Sequence, residues 1–393
     1  MQSIRNEHEP TFLLDASRTD RRLCDAIAGE VRYTSDMAPS NLVRTTVRTM
    51  SGYAPGEQPA PGERVVKLNT NENPYPPSPR VIEAIHAVDV EMLRRYPHPL
   101  ADRFRESCAR LWSVDMNQVI AGNGSDDILT IATRTFVPPG GSIASPEPSY
   151  SLYPVLARLE DASHIGVPWL DGFKLPMEAL IATRASAIYL ANPNAPTGTV
   201  VEISEVAKLA RAFPGLVLVD EAYGDFWGQS AVHLVRDFAN VVVSRSLSKG
   251  YALAGLRFGY GIAQASVIDE MMKVKDSYNC DAISIVAATA AIEDQAHASR
   301  GWENVRQERE RMTHHLSELG FKVIPSQANF VLAGVPGGDG RRFYEGLRRQ
   351  GILVRYFDKP GLSDKLRITI GTGQENDALI AGLLTMIEKQ QAA

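Results

Sequence analysis

Cysteine is scarce in this chain: Cys24, Cys108 and Cys280 are three residues in 393, far apart and without a CxxC spacing. That speaks against a disulfide framework or a zinc site and fits a reducing cytoplasm. Long apolar runs are missing too. None reaches the ~18 residues of a spanning helix. The N-terminus has no signal-peptide pattern, since its one apolar cluster, Phe12-Leu13-Leu14, ends at Asp15. Charge of one sign is also lacking: 41 Lys and Arg against 46 Asp and Glu leave a net −5. With no long basic run, the chain is not built to bind nucleic acid by phosphate neutralisation. Internal repeats, low-complexity tracts, a GxxxxGK(S/T) loop and an HExxH motif are all absent, so an ATP-type phosphate loop is excluded. The adjacent pair His314-His315 reads as solvated.

What is present is ordinary globular material. Hydrophobic residues make up 44% and charged residues 22%, which accommodates two or three structural units. Residues 1–36 are polar and aperiodic. Met37 opens a more orderly stretch and is an expected native start. Residues 53–62 are rich in Pro and Gly, so 1–62 read as an N-terminal extension and arm. Helical periodicity covers 80–93 and 100–112. Short apolar runs at 119–121, 142–145, 188–191, 216–219 and 241–244 then alternate with amphipathic segments at 126–136, 151–159 and 204–213. Buried strands alternating with helices predict an α/β fold around a mainly parallel sheet. This large domain is expected over 63–290, its opening segment partly in a smaller α+β domain at 291–393. There, helices at 303–319, 341–350 and 376–389 flank strands at 329–332 and 366–369.

In such sheets ligands bind where the strands end, and four groups stand there. Gly122-Asn123-Gly124-Ser125-Asp126 follows the first strand and opens a helix. It reads either as an anion cup at a helix N-terminus or as a plain capped turn. Asn192-Pro193-Asn194-Ala195-Pro196-Thr197-Gly198 is a rigid turn that could aim Asn194 into a cleft. Asp220-Glu221-Ala222-Tyr223 ends a strand with two polar heads. Ser246-Leu247-Ser248-Lys249, followed by Arg257, sets a lysine among serines, where burial would lower its pKa and make it a usable nucleophile.

In this order the four groups resemble the fold-type I, aspartate-aminotransferase-like superfamily of pyridoxal 5′-phosphate (PLP) enzymes. Within it the chain is similar to the histidinol-phosphate aminotransferase family. Leu68-Asn69-Thr70-Asn71-Glu72-Asn73-Pro74, Arg95-Tyr96-Pro97 and Leu366-Arg367-Ile368-Thr369-Ile370-Gly371 add to the likeness. It runs from about Tyr53 to the C-terminus. It implies a large PLP-binding domain and a small domain, with Lys249 forming the Schiff base and Asp220 pairing with the pyridine nitrogen. Asn194 and Tyr223 would face the phenolic oxygen, and Tyr150 would stack on the ring. The backbone at Ser125 and Asp126, with Ser246, Ser248 and Arg257, would hold the phosphate, joined by Tyr96 from a partner subunit in a homodimer. Tyr53, Asn194, Arg355 and Arg367 would meet the substrate. A surface charge is the plainer reading of Arg355.

The implied reaction is transamination of L-histidinol phosphate with 2-oxoglutarate in histidine biosynthesis, giving imidazole acetol phosphate and glutamate. Metal, nucleic acid and membrane play no part in it. Two departures from the family pattern, Ala195 for a second Asn and His98 for Asp, flank the matched residues. An aromatic amino-acid aminotransferase or a PLP-dependent amino-acid-phosphate decarboxylase would use the same scaffold. A non-catalytic PLP-binding regulator would want an appended DNA-binding domain, for which 1–52 are too short and too little basic.

Overall fold

The protein is described by a computed structural model covering residues 42–53, 56–60 and 62–391. Met37 and Cys24 lie outside the described residues. By contacts the chain falls into units 1–48 and 49–393. The helix Thr45–Thr49 crosses that boundary.

Thirteen strands occur among the described residues, numbered in chain order. They are β1 (Val66–Lys67), β2 (Val119–Gly122), β3 (Ser142–Glu147), β4 (Ser163–Pro168), β5 (Ala187–Ala191), β6 (Leu216–Asp220) and β7 (Val241–Ser246). The rest are β8 (Gly259–Ile262), β9 (Lys322–Ile324), β10 (Phe330–Gly334), β11 (Ile352–Leu353), β12 (Arg355–Tyr356) and β13 (Lys365–Thr369). The main sheet has the order β2-β8-β7-β6-β5-β3-β4. Its pairings are parallel except for β8, which runs antiparallel to both β2 and β7.

Every residue of β5, β6 and β7 is buried, as expected of parallel strands covered on both faces. Alternation then assigns the faces. Val217, Val219, Val241 and Val243 belong to one core, and Leu216, Leu218 and Val242 to the other. Helix Ile203–Ala212 closes the first face with Val206, Leu209 and Ala210. Helix Ser125–Phe136 closes the second with Ile128, Leu129, Ile131 and Ala132.

The second sheet, β12-β13-β10-β9, is antiparallel. A third core gathers on it, with Val305, Met312 and Leu316 from helix Gln295–Glu318, Phe343 and Leu347 from Gly340–Arg349, and Leu379 and Leu383 from Gly373–Gln391. The early β1 pairs with β11 in parallel, and Leu68 packs into this same core.

Local chemistry modifies the periodic reading in places. The stretch 80–93 is two helices, Pro79–His86 and Val90–Leu93, because Asp89 caps the second through its carboxylate and the Met92 amide. Helix Ala282–Glu293 is apolar nearly all round and buried, so it offers no polar face to mark its period. Strand β8 is half glycine. His314 and His315 converge on Glu318, at 3.2 Å each, rather than pointing apart. Cys108 and Cys280 are buried free thiols, and burial pushes Cys280 up to about 12. No helix among the described residues is long and apolar enough to cross a membrane.

One residue of β7 carries a charge into the core. Arg245 is 3% exposed and is met by Glu221 and Asp225, themselves 1% and 6% exposed. Glu221 also accepts from Ser230 Oγ and the Ala231 amide, each at 2.6 Å. Arg245 lies over the Trp112 ring, 4.6 Å from its centroid. Replacing Arg245 with leucine would strand two buried carboxylates, which burial already pushes up. The expected cost at neutral pH is about 3–5 kcal/mol, read as a shift in the urea midpoint. The deficit should narrow as pH falls and the carboxylates take up protons. A pH-independent deficit would disprove this origin.

Candidate active site

The site gathers where β5, β6 and β7 end side by side and their loops leave the sheet. Asp220, the last residue of β6, is 4% exposed. Its Oδ2 accepts from the Tyr153 hydroxyl at 3.0 Å and its Oδ1 from the Ala222 amide at 3.2 Å. Burial outweighs these donors and pushes its carboxyl up to about 7. Lys249 lies three residues beyond β7, its Nζ donating to the Thr70 carbonyl at 3.1 Å. Burial, helped by the positive Arg367, lowers this ammonium to about 8. A neutral amine is thereby accessible near neutral pH. The Tyr223 hydroxyl accepts from Asn71 Nδ2 at 2.9 Å, and its ring stands edge-on to Phe330.

A cup for an anion adjoins these groups. Helix Ser125–Phe136 starts after Gly124, whose φ is +83°. A Cβ on Gly124 would lie 2.7 Å from Arg257 Nη2, and one on Gly259 would lie 2.3 Å from the Ser125 nitrogen. Glycine at both positions lets the helix start, β8 and Arg257 close on one another. Arg257 Nη1 donates to Ser248 Oγ at 3.2 Å, and the Ser248 amide donates to Ser246 Oγ at 3.1 Å. Arg257 Nη2 stands 3.6 Å from Asp126 Oδ2. First-turn amides, two serine hydroxyls and a guanidinium suit a phosphate.

Tyr150 forms one wall, its hydroxyl donating to Asp126 Oδ1 at 3.1 Å. Tyr53, Tyr150, Tyr153 and Tyr189 follow one another edge to face, with centroids 6.0, 5.6 and 5.4 Å apart. Asn194 is 1% exposed. Its Nδ2 donates to the Pro148 carbonyl and Thr197 Oγ1, and its Oδ1 accepts from Ser149.

On the opposite side Arg367 is sandwiched between Phe330 and Phe357, at 5.3 and 5.6 Å. Its Nη2 donates to the Asn69 carbonyl at 2.8 Å, and its Nε is a buried donor without a partner among the described residues. Arg355 faces Arg367 directly across the β12–β13 pair and lies over Phe357.

The structure therefore brings together Lys249, Asp220, Tyr223, Asn194, Tyr150, Tyr53, Ser125, Asp126, Ser246, Ser248, Arg257, Arg355 and Arg367. Tyr96 stands apart within the chain, 81% exposed and stacked on Tyr278 at 4.5 Å. Sequence reasoning misses Tyr153, although a tyrosine one turn after Tyr150 in a buried helix is a visible signal. It also misses how 69–73 serve the site. That segment presents the Asn69 carbonyl to Arg367, the Thr70 carbonyl to Lys249 and Asn71 to Tyr223, while Asn73 Nδ2 holds the Lys249 carbonyl at 3.0 Å.

Residues 63–383 match the family of class I and II aminotransferases. The chain belongs to that family. Among the relatives of this aminotransferase, "Histidinol-phosphate aminotransferase 1" of a Nostoc species is 45% identical over 351 residues, 89% of this chain and 99% of the relative. The histidinol-phosphate aminotransferase of Chromohalobacter salexigens is 45% identical over 341 residues, 86% of this chain and 96% of its own. The crystal structure of a Sinorhizobium meliloti histidinol-phosphate aminotransferase in complex with pyridoxal-5′-phosphate shares the fold. Its TM-score is 0.81 at 23% identity, over 93% of this chain and all of that one.

The raised Asp220 carboxyl has a stability signature in the ligand-free aminotransferase. The folded chain holds that proton up to about pH 7, whereas the unfolded chain releases it near 3.8. Stability from this group is present below the unfolded value and is lost as pH rises through the folded one, by up to about 4 kcal/mol. Asp220→Asn should therefore gain on the wild type between about pH 4 and pH 7 in urea unfolding. Parallel curves for the two proteins would refute the buried-carboxyl assignment.

Proposed function

We propose that this aminotransferase binds pyridoxal 5′-phosphate at the strand ends and transfers the amino group of L-histidinol phosphate to 2-oxoglutarate, a step of histidine biosynthesis. The products are imidazole acetol phosphate and glutamate. The observation that carries the cofactor reading is the donor set itself. A sealed carboxylate, a lysine with a lowered ammonium and a phosphate cup stand around one cleft beside an aromatic wall. These residues fit the group. Curated relatives with matching names, 39–45% identical over nearly their whole length, support the substrate.

When bound, pyridoxal phosphate supplies an aldehyde for the amino group and a protonated ring that withdraws electrons. The residues do the rest. Asp220 would keep the ring nitrogen's proton in place by an ion pair shielded from water. The backbone amides of Ser125 and Asp126, with Ser246, Ser248 and Arg257, would hold the phosphate, and Tyr150 would cover the ring. Tyr223 would donate towards the phenolic oxygen. Asn194 can do so by giving up its Thr197 or Pro148 contact. Lys249 Nζ, once its bond to the Thr70 carbonyl is released, takes the proton from the amine-bearing carbon of the substrate. Tyr53, Arg355 and Arg367 read the substrate. A guanidinium with an unspent Nε suits the phosphate of one half-reaction and the carboxylates of the other.

The same reading divides the chain into extension and arm (1–62), PLP-binding domain (63–290) and small domain (291–393), and places it in the cytoplasm as a homodimer. Met92 and Tyr96, 38% and 81% exposed, line a groove of about 450 Å³ together with Ile285 and Val286. A second copy covering that face would bring Tyr96 to its partner's phosphate.

A donor panel with 2-oxoglutarate tests the reading. kcat/KM for histidinol phosphate should exceed those for histidinol and phenylalanine, and borohydride should fix the cofactor to the Lys249 peptide. Arg367→Ala should lose on the order of 30-fold or more in kcat/KM, the equivalent of roughly 2–5 kcal/mol. A preference for phenylalanine would overturn the substrate, and release of CO2 without a keto acid would reveal a decarboxylase. Mixing Lys249→Ala with Tyr96→Ala subunits should recover activity in hybrid dimers. No recovery on exchange or co-expression would refute the shared site.

A further inference from the structure

Tyr153 belongs to neither the phosphate cup nor the substrate side, yet it touches the one carboxylate at the floor of the cleft. It opens helix Tyr153–Leu159, is fully buried, and packs edge to face between Tyr150 and Tyr189. A phenylalanine would fill this aromatic column equally well. A hydroxyl in such a place needs a partner, since burying it unpaired costs free energy. Its partner is Asp220 Oδ2, at 3.0 Å. Tyr189, next in the column, satisfies its own hydroxyl separately on Thr133 at 2.8 Å. The Ala222 amide occupies Oδ1, so the carboxylate is clamped by one donor on each oxygen.

The other groups facing Asp220 work against its charge. Asp126, from the start of helix Ser125–Phe136, and Glu221, the next residue in the chain, are negative neighbours. Tyr150 and Tyr223 flank it as phenols whose ionisation burial suppresses. Tyr153 is likewise held un-ionised by burial and by Asp220 itself, and so stays a donor. It is the side-chain donor that favours a charged Asp220.

We infer that Tyr153 is a positioning residue for Asp220, its hydroxyl fixing the carboxylate's orientation and keeping it ionised, so that the proton of the pair stays on the cofactor's ring nitrogen. This rests on the pyridoxal phosphate reading above. Without the hydroxyl the carboxylate competes better for that proton, and the ring withdraws electrons less.

The test uses the holoenzyme, with Tyr153→Phe, Asp220→Asn and the double variant. The visible absorbance of the cofactor is followed against pH, alongside kcat and KM. Tyr153→Phe should raise the midpoint of the absorbance transition by about half a unit to one unit. It should also lower kcat roughly tenfold with KM within about twofold. Added to Asp220→Asn, the same change should alter neither quantity beyond about twofold, because the two act as one unit. An unshifted midpoint, an equal shift in the Asp220→Asn background, or loss of cofactor uptake by Tyr153→Phe would each overturn the inference. A lowered melting temperature with an unchanged spectrum would reduce Tyr153 to packing. A wild-type protein with no visible cofactor band would instead overturn the proposed function, which separates the two failures.

Discussion

A guanidinium sealed inside a sheet must be neutralised where it stands, and the carboxylates that neutralise Arg245 belong to the stretch that carries Asp220 and Tyr223. Glu221 follows Asp220 directly, and Asp225 lies two residues beyond Tyr223. Arg245 itself precedes Ser246, Ser248 and Lys249. One buried ion cluster therefore ties the exit of β6 to the exit of β7. Such clusters contribute little net stability against an apolar substitute, but breaking one partner is costly. Their use here is registry: the acid and the lysine cannot drift apart without exposing an unpaired charge to the core.

The second tie runs between the sheets. Residues 69–73 cross from β1, which pairs with the late β11, to the ends of the main strands, and their backbone oxygens hold Arg367 and Lys249. Two cations are thus set on the consecutive carbonyls of Asn69 and Thr70, in a bent segment that turns at Asn71 with a φ of +57°. Asp220 and Lys249 follow strands of the main sheet, Arg355 and Arg367 lie on strands of the small one, and this short segment bridges them.

Much of this was legible in the sequence for a physical reason. Buried parallel strands are uninterrupted apolar runs, so β5, β6 and β7 announce themselves, and the polar residues after them had to line the cleft. Asp220 and Lys249 are readable for that reason. Strand β8 and helix Ala282–Glu293 were not. One has glycine where side chains would signal a period, because the helix start of the anion cup packs on it. The other is apolar on every face and carries no periodicity. Contacts from distant segments were equally hidden: nothing local tells Thr70 that its carbonyl will meet Lys249, or Tyr153 that its hydroxyl will meet Asp220.

Arg355 and Arg367 stand directly opposite each other in an antiparallel pair, an arrangement in which like charges repel. An anion bound between them would ease that repulsion. A ligand that binds the native state alone draws the folding equilibrium towards it.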